Sequence, residues 1–245
     1  MTVEDQNRGA LEAEETRIRL AYARRGDLAR LYSPFNPGAL FMAQALERRV
    51  LALLKKHGCD DLAGKKILEV GCGTGHWLRQ LVQWGANPEN LFGVELLPGR
   101  VQEAKRLCGA SVTILQGSGA SLQFRDREFD LVLQSTVFSS ILDQTTSRLV
   151  ASEMLRVLKP TGFVLWYDFF VKNPRNPDVR GITKRDIRDL FPGCDVELER
   201  VTLAPPLSRT LARYSWTLCE LLCRLPILCT HYLGIIQARA GSSAS

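Results

Sequence analysis

The sequence predicts a doubly wound α/β fold with a seven-stranded, mostly parallel sheet, and three observations carry that prediction. From Lys66 onward, short apolar runs alternate with helix-length amphipathic segments, which is the rhythm of strands joined by helical crossovers. The first run, Ile67-Leu68-Glu69-Val70, breaks abruptly into Gly71-Cys72-Gly73-Thr74-Gly75. That marks a buried parallel strand followed by a turn where backbone can approach a ligand closely. Twenty residues beyond Gly75, Glu95 closes the next apolar run, and a carboxylate in that place can accept hydrogen bonds from both hydroxyls of a ribose.

Strands are expected at Ile67 to Gly71, Leu91 to Glu95, Val112 to Leu115, Phe129 to Gln134 and Phe163 to Phe169, followed by Asp195 to Leu203 and Tyr232 to Ala238. Helices fit near His76 to Trp84, Pro98 to Cys108 and Thr146 to Leu158, with a short one from Thr183 to Leu190 that Thr183 caps. Residues 1–60 read as an N-terminal helical cap. Leu11, Ile18, Leu20, Leu28 and Leu31 recur at helical intervals, Pro34 and Pro37 interrupt, and an apolar stripe resumes from Leu40 to Leu54. Residues 61–245 form the main domain, in which Asn173 to Pro177 is a turn-rich loop and Gly241 to Ser245 a frayed end. A C-terminal helical insertion at residues 207–228 carries Leu211, Leu218, Leu221, Leu222 and Leu225 on one expected helix from Leu207 to Leu225. With so few charges, that helix covers the domain's own site, meets a partner or touches a membrane surface, and the first is preferred.

The 245 residues, 45% of them hydrophobic, can bury one substantial core, so a single domain with additions is expected. The chain shows no run of uncharged apolar residues long enough to span a bilayer and no signal-peptide core, which points to a cytoplasmic protein. Seven scattered cysteines, an odd number, argue for reduced thiols. The net charge of +6 leaves room for an acidic partner. Many of the basic residues, among them Arg17, Arg19, Arg24, Arg25, Arg30, Arg48 and Arg49, are mixed with apolar residues at helical spacing. That is the pattern of a solvated helix face, so nucleic acid is disfavoured as a partner. Cys219, Cys223, Cys229 and His231 match no common zinc spacing, and no metal site is expected.

The dinucleotide fingerprint requires its third glycine where His76 stands. The spacing of Gly71, Gly73 and Gly75 instead resembles the first motif of the class I S-adenosylmethionine (SAM) dependent methyltransferases. Further segments resemble that family in order: Gly93-Val94-Glu95, Gly117 to Phe124, Phe129 to Leu133, and Glu153 to Gly162. The resemblance covers about residues 62 to 170. It implies a Rossmann-like domain that binds SAM and releases S-adenosylhomocysteine with a methylated acceptor. The cofactor-binding set it implies is Glu69, Gly71, Cys72, Gly73, Gly75, Glu95, Leu96, Gly117, Ser118, Gly119 and Gln134, with Tyr32 from the cap. Glu69 either holds the methionine part or orders the loop backbone, and Tyr32 either touches the methionine end or pins two helices together. Ser118 stands where the family usually has an aspartate for the adenine amino group, which shifts adenine recognition toward backbone groups and apolar walls such as Leu96.

Methyl transfer from a sulfonium is an in-line displacement on an activated donor, so alignment and exclusion of water dominate. In open α/β sheets the ligand lies outside the carboxyl ends of the strands, which brings Gln134, Ser135, Tyr167 and Asp168 toward the reacting region. Asp168 is the leading general-base candidate and Tyr167 an orienting group, the alternative for Asp168 being a carboxylate that caps backbone groups. His76 either meets the ligand or faces solvent, and Phe138 is either core or pocket wall. Cap and insertion flank the site, which suits a small or medium acceptor, and the resemblance suggests O-methylation of a sugar, glycan or secondary metabolite. The alternatives are a nicotinamide dehydrogenase, a non-catalytic SAM-binding protein, and a nucleic-acid or other N-methyltransferase. For base N-methylation an Asn/Asp-Pro-Pro-Tyr/Phe signature is expected where Gln134-Ser135-Thr136-Val137 stands.

Overall fold

The apolar runs assemble into one sheet. In the computed structural model, which describes residues 3–24, 29–172 and 176–239, the strands are β1 (Ile67–Val70), β2 (Leu91–Glu95), β3 (Thr113–Gln116), β4 (Phe129–Ser135), β5 (Leu158–Phe169), β6 (Cys194–Leu203) and β7 (Cys229–Ala238). Their order is β3-β2-β1-β4-β5-β7-β6. All neighbours run parallel except β7, which is antiparallel to both β5 and β6. Because β1 lies between β2 and β4, the direction of winding reverses there and opens a crevice at the carboxyl ends of those strands.

The helices are α1 (Val3–Arg24), α2 (Ala29–Tyr32), α3 (Pro37–Lys56), α4 (His76–Gln83), α5 (Pro98–Cys108), α6 (Gln144–Val157), α7 (Lys184–Leu190), α8 (Pro205–Leu211) and α9 (Trp216–Cys223). Successive strand residues point to opposite faces, and both faces are covered. Ile67, Leu131, Leu133 and Leu165 pack with apolar residues of α3, α4 and α5, whereas Leu68, Val70, Val132, Val164 and Trp166 pack with those of α6 and α7. Local chemistry sets the helix starts. Asn36 accepts from the Gly38 and Ala39 amides ahead of α3, with Pro37 in the first turn, and Thr183 with Asp186 forms a reciprocal capping box on α7.

Most strand limits fall within a few residues of expectation, and the departures have causes. β1 stops at Val70 because Gly71 turns to φ +69°. β5 begins at Leu158, five residues before the predicted start, because Leu158 already pairs with Phe129 across an irregular step in the ladder. The insertion is two short helices rather than one: the chain breaks after Leu211, and the Ser215 hydroxyl accepts from the Leu218 amide to start α9. Arg25, Leu28, the loop residues Asn173 to Arg175, and Gly241 to Ser245 lie outside the described residues, as does the side chain of Arg30.

Candidate active site

The glycine loop is held from both sides. Gly71 and Cys72 donate to the Val94 carbonyl oxygen, and the Gly73 amide donates to Glu95 Oε2 at 2.9 Å. Glu95 Oε1 accepts from the Leu97 amide at 2.9 Å, so one carboxylate ties the turns after β1 and β2. Each of its oxygens keeps accepting capacity for a further donor. A side chain on Gly71 would meet Val137 Cγ2 at 2.5 Å, and one on Gly75 would meet Cys108 Sγ at 2.3 Å. Glycine at these positions is a packing requirement as well as a conformational one.

Beside this loop lies a narrow cavity of about 130 Å³ lined by Gly71, Glu95, Leu96, Gly117, Ser118 and Gly119 from the expected cofactor-binding set. Ser118 Oγ turns back to accept from the Ala120 amide at 3.1 Å. The remaining members of that set stand elsewhere. Cys72 is buried with its Sγ packed where a side chain on Gly93 would lie, and burial pushes its thiol up. It therefore acts as core. Gln134 is fully buried and spends its amide on the Val137 amide and the Tyr167 carbonyl oxygen. Gly75 starts α4 in the left-handed region. Glu69 is buried behind the loop, where burial and the neighbouring Glu95 hold its carboxyl well above the usual range, and its Oε2 has no hydrogen-bond partner.

The lid over the cavity is α1, through residues that local sequence reading passes over. Ile18 and Tyr22 line the narrow cavity, Arg19 Nη1 donates to the Leu96 carbonyl oxygen at 2.8 Å, and the Arg100 guanidinium lies 4.4 Å from the Tyr22 ring centre. Glu14 accepts from the Leu142 and Asp143 amides, while Arg17 Nη2 donates to the Ser140 carbonyl oxygen at 2.6 Å. The i, i+4 spacing of Ile18 and Tyr22 on a helix that also carries Arg17 and Arg19 was the available signal.

A wider cavity of about 1640 Å³ adjoins the narrow one, sharing Tyr22, Leu97, Arg100, Ser135, Thr136 and Ser140. Tyr32, His76 and Tyr167 line it, whereas Phe138 is fully buried core. Tyr32 is 63% exposed, and Arg209 of α8 lies over its ring at 5.8 Å. On the cavity wall, three strands bring together Tyr167, Thr202 and His231. The Tyr167 ring stacks on the His231 ring at 4.8 Å with 3° between planes, and its hydroxyl bonds Thr202 Oγ1 at 3.0 Å. Thr230 Oγ1 lies 3.5 Å from the Thr202 carbonyl oxygen and 2.9 Å from His231 Nδ1. With the Thr230 hydroxyl proton turned to the Thr202 carbonyl oxygen, the ring proton sits on Nδ1 and Nε2 carries the free lone pair; turned to Nδ1, it puts the ring proton on Nε2. Burial pushes the imidazole down to about 4, so it is neutral near pH 7.

Asp168 does not join this group, which corrects its expected role as base. Alternation along β5 turns it to the opposite face from Tyr167, where it is 1% exposed and lines neither cavity. Its Oδ2 accepts from the Ser139 amide at 3.0 Å and its Oδ1 from the Phe169 amide at 2.9 Å. Asp168 thus braces the turn whose Ser139 and Ser140 line the wide cavity.

Burial pushes the Asp168 carboxyl up to about 7 despite these donors. With the folded value raised, stability present below the ordinary carboxylate range is lost as pH rises toward 7. His231 acts oppositely, its depressed value removing stability as pH falls from 6.5 toward 4. In the wild type the two slopes offset. Asp168→Asn is expected to be the weaker protein at pH 4, by about 1–3 kcal/mol, because the amide offers one acceptor for two N–H groups. Its stability relative to wild type should then climb by on the order of 4 kcal/mol by pH 7. Urea unfolding of both proteins across that range checks this, and a difference independent of pH contradicts it.

Residues 67–162 match the family described as a methyltransferase domain. A sterol 24-C-methyltransferase of Yarrowia lipolytica is 31% identical over 167 residues, covering 63% of this chain and 42% of the relative. A fatty-acid O-methyltransferase of Mycolicibacterium smegmatis is 34% identical over 109 residues, covering 44% and 38%. The chain therefore spans less than half the length of these curated relatives. A solved structure from Pyrococcus horikoshii OT3 superposes with a TM-score of 0.56 over 88% of this chain and 100% of that one, at 16% identity, a likeness of fold. The matched segment begins at the first residue of β1 and ends within β5, enclosing the loop and strand ends that shape the crevice. The chain carries a class I SAM-dependent methyltransferase domain, a family and fold whose cofactor is S-adenosylmethionine.

Proposed function

We propose that this protein transfers a methyl group from SAM to a hydroxyl of a small or medium polar acceptor, in the class of sugars, glycans and hydroxylated secondary metabolites. The observation that carries this reading is the wide cavity beside the glycine loop, in whose wall the neutral imidazole of His231 stands among the hydroxyls of Ser135, Thr136, Ser139, Tyr167 and Thr202.

The residues present fit the cofactor. Glu69 keeps an unpartnered buried oxygen behind the loop, suited to the cationic methionine end, and Glu95 has accepting capacity for ribose hydroxyls. A side chain at Gly73 would find only Arg100 Nη1, at 3.7 Å, so the space in front of that backbone is open. When bound, SAM supplies an electrophilic methyl on a sulfonium. The chain's own residues do the rest: α1 closes over the crevice through Ile18 and Tyr22 and excludes water, and Tyr167 holds the imidazole plane by stacking. His231 Nε2 would take the acceptor's hydroxyl proton as the methyl passes to that oxygen, the carbon–sulfur bond breaking as the carbon–oxygen bond forms. A weakly basic imidazole suffices because the acceptor oxygen becomes strongly acidic as it is alkylated.

The test is incubation with methyl-labelled SAM and a panel of mono- and oligosaccharides, hydroxylated aromatics, amines, fatty acids, sterols and oligonucleotides, with products identified by mass spectrometry. Methyl ethers on the polar hydroxyl compounds are expected. Transfer confined to amines, to nucleic acid, or to sterols and fatty acids would overturn the acceptor class, and SAM binding without transfer to any of them would support a non-catalytic role.

A further inference from the structure

We propose that the exposed side of the insertion is a docking surface for an anionic bilayer. Of the residues in α9, Cys219 is the buried one, while Leu218 and Leu221 are exposed. Tyr214, Leu218, Leu221 and Leu225 are all exposed and make an apolar stripe along the chain, Leu218 and Leu221 on α9 and the other two in the segments that flank it. It continues into Ile227, which is 84% exposed. An eight-residue helix has little stability of its own, and one that shows more leucine to water than it buries marks a surface meant to be covered.

The domain's own site is not what this stripe covers. Pro205 and Arg209 of the insertion line the wide cavity, but no residue of α9 lines either cavity. Of the two helices of the insertion, α8 thus flanks the wide cavity and α9 does not. Charge selects the occupant. Residues 205–228 carry Arg209, Arg213 and Arg224 against Glu220 alone, and Glu220 is taken by Arg48 of α3. Arg213 lies over the Tyr214 ring at 4.8 Å, an aromatic and a cation presented together. Leucines flanked by arginines and a tyrosine are the composition of interfacial membrane contacts. A second copy of this chain, with net charge +6, brings like charge to the same surface. Among the described residues no helix is long and apolar enough to cross a membrane, so the contact is peripheral. Because Arg209 and Pro205 belong to both the insertion and the cavity wall, docking sets the cavity beside the headgroup layer.

The inference stands independently of the methyl-transfer reading, and its test uses no acceptor. The full chain is sedimented with vesicles of phosphatidylcholine, alone and mixed with phosphatidylglycerol. Association with the mixed vesicles that weakens with salt is expected. Leu221→Asp combined with Ile227→Asp should weaken it roughly tenfold or more, and Arg213→Gln combined with Arg224→Gln should weaken it by roughly tenfold. SAM binding by calorimetry should be unchanged in both variants, showing that the fold survives. No association of the wild type with either vesicle overturns the proposal. So does concentration-dependent self-association in sedimentation velocity that Leu221→Asp abolishes, which would assign the stripe to a second copy.

Discussion

Gly73→Val is expected to abolish measurable binding of S-adenosylmethionine while leaving the fold intact. Gly73 sits at φ +56°, a left-handed conformation that costs a β-branched residue about 1–2 kcal/mol or more. A valine there meets no packed core. Its side chain projects into the open space before the loop, next to Thr74, which lines the wide cavity. Relieving the strain would also pull the Gly73 amide from Glu95, loosening the carboxylate that joins the two strand-end turns. Titration calorimetry should show affinity reduced by roughly a hundredfold or more, since a loss of about 3 kcal/mol corresponds to that factor. Circular dichroism should be unchanged. Wild-type affinity in this variant would remove the glycine loop from the binding site. Gly75→Val is the contrasting control: its clash with Cys108 Sγ strikes packing, so lost stability rather than selective lost binding is expected.

His231→Gln should lower kcat by roughly a hundred- to ten-thousandfold, the range that a positioned proton acceptor contributes, with SAM affinity retained. Glutamine keeps volume and polarity at the Thr230 contact but offers no basic lone pair. Because burial pushes the imidazole down to about 4, wild-type kcat should be level through neutral pH. Tyr167→Phe keeps the ring that stacks on His231 and loses the bond to Thr202, so a smaller loss is expected. Full turnover by His231→Gln, measured with the best acceptor from the panel, would strike out the assignment. Asp168→Asn separates the two candidates, since its main effect is expected in unfolding rather than in kcat.

The crevice was legible in the sequence because its signals are local. The apolar run, the three alternating glycines and Glu95 each act within a few residues of backbone, so β1, the glycine turn after it and β2 follow from spacing alone. The base candidate was not legible in this way. Trp166, Tyr167 and Asp168 are consecutive, and proximity to a strand's carboxyl end recommends all three. Only the pleat, together with the turn at Phe138–Ser140 lying over one face, sends Asp168 into backbone hydrogen bonds and Tyr167 to the cavity. His231 reaches that cavity because β7 inserts antiparallel between β5 and β6, setting residue 231 opposite Phe169 and Val201.

The insertion shows the same division at another scale. Its leucine spacing correctly marked helix, but one long helix was expected where Ser215 restarts the chain, and apolar spacing says nothing about which side is covered. Tyr22 over Arg100 and Arg19 on the Leu96 carbonyl oxygen join residues more than seventy positions apart. Strand positions, the glycine turns and helix caps are short-range consequences of side-chain type, and a reader of residues recovers them. Which face a side chain shows, what closes over the crevice and which imidazole meets the cavity depend on packing between distant segments, where the free energy belongs to the pair and is written in neither segment alone.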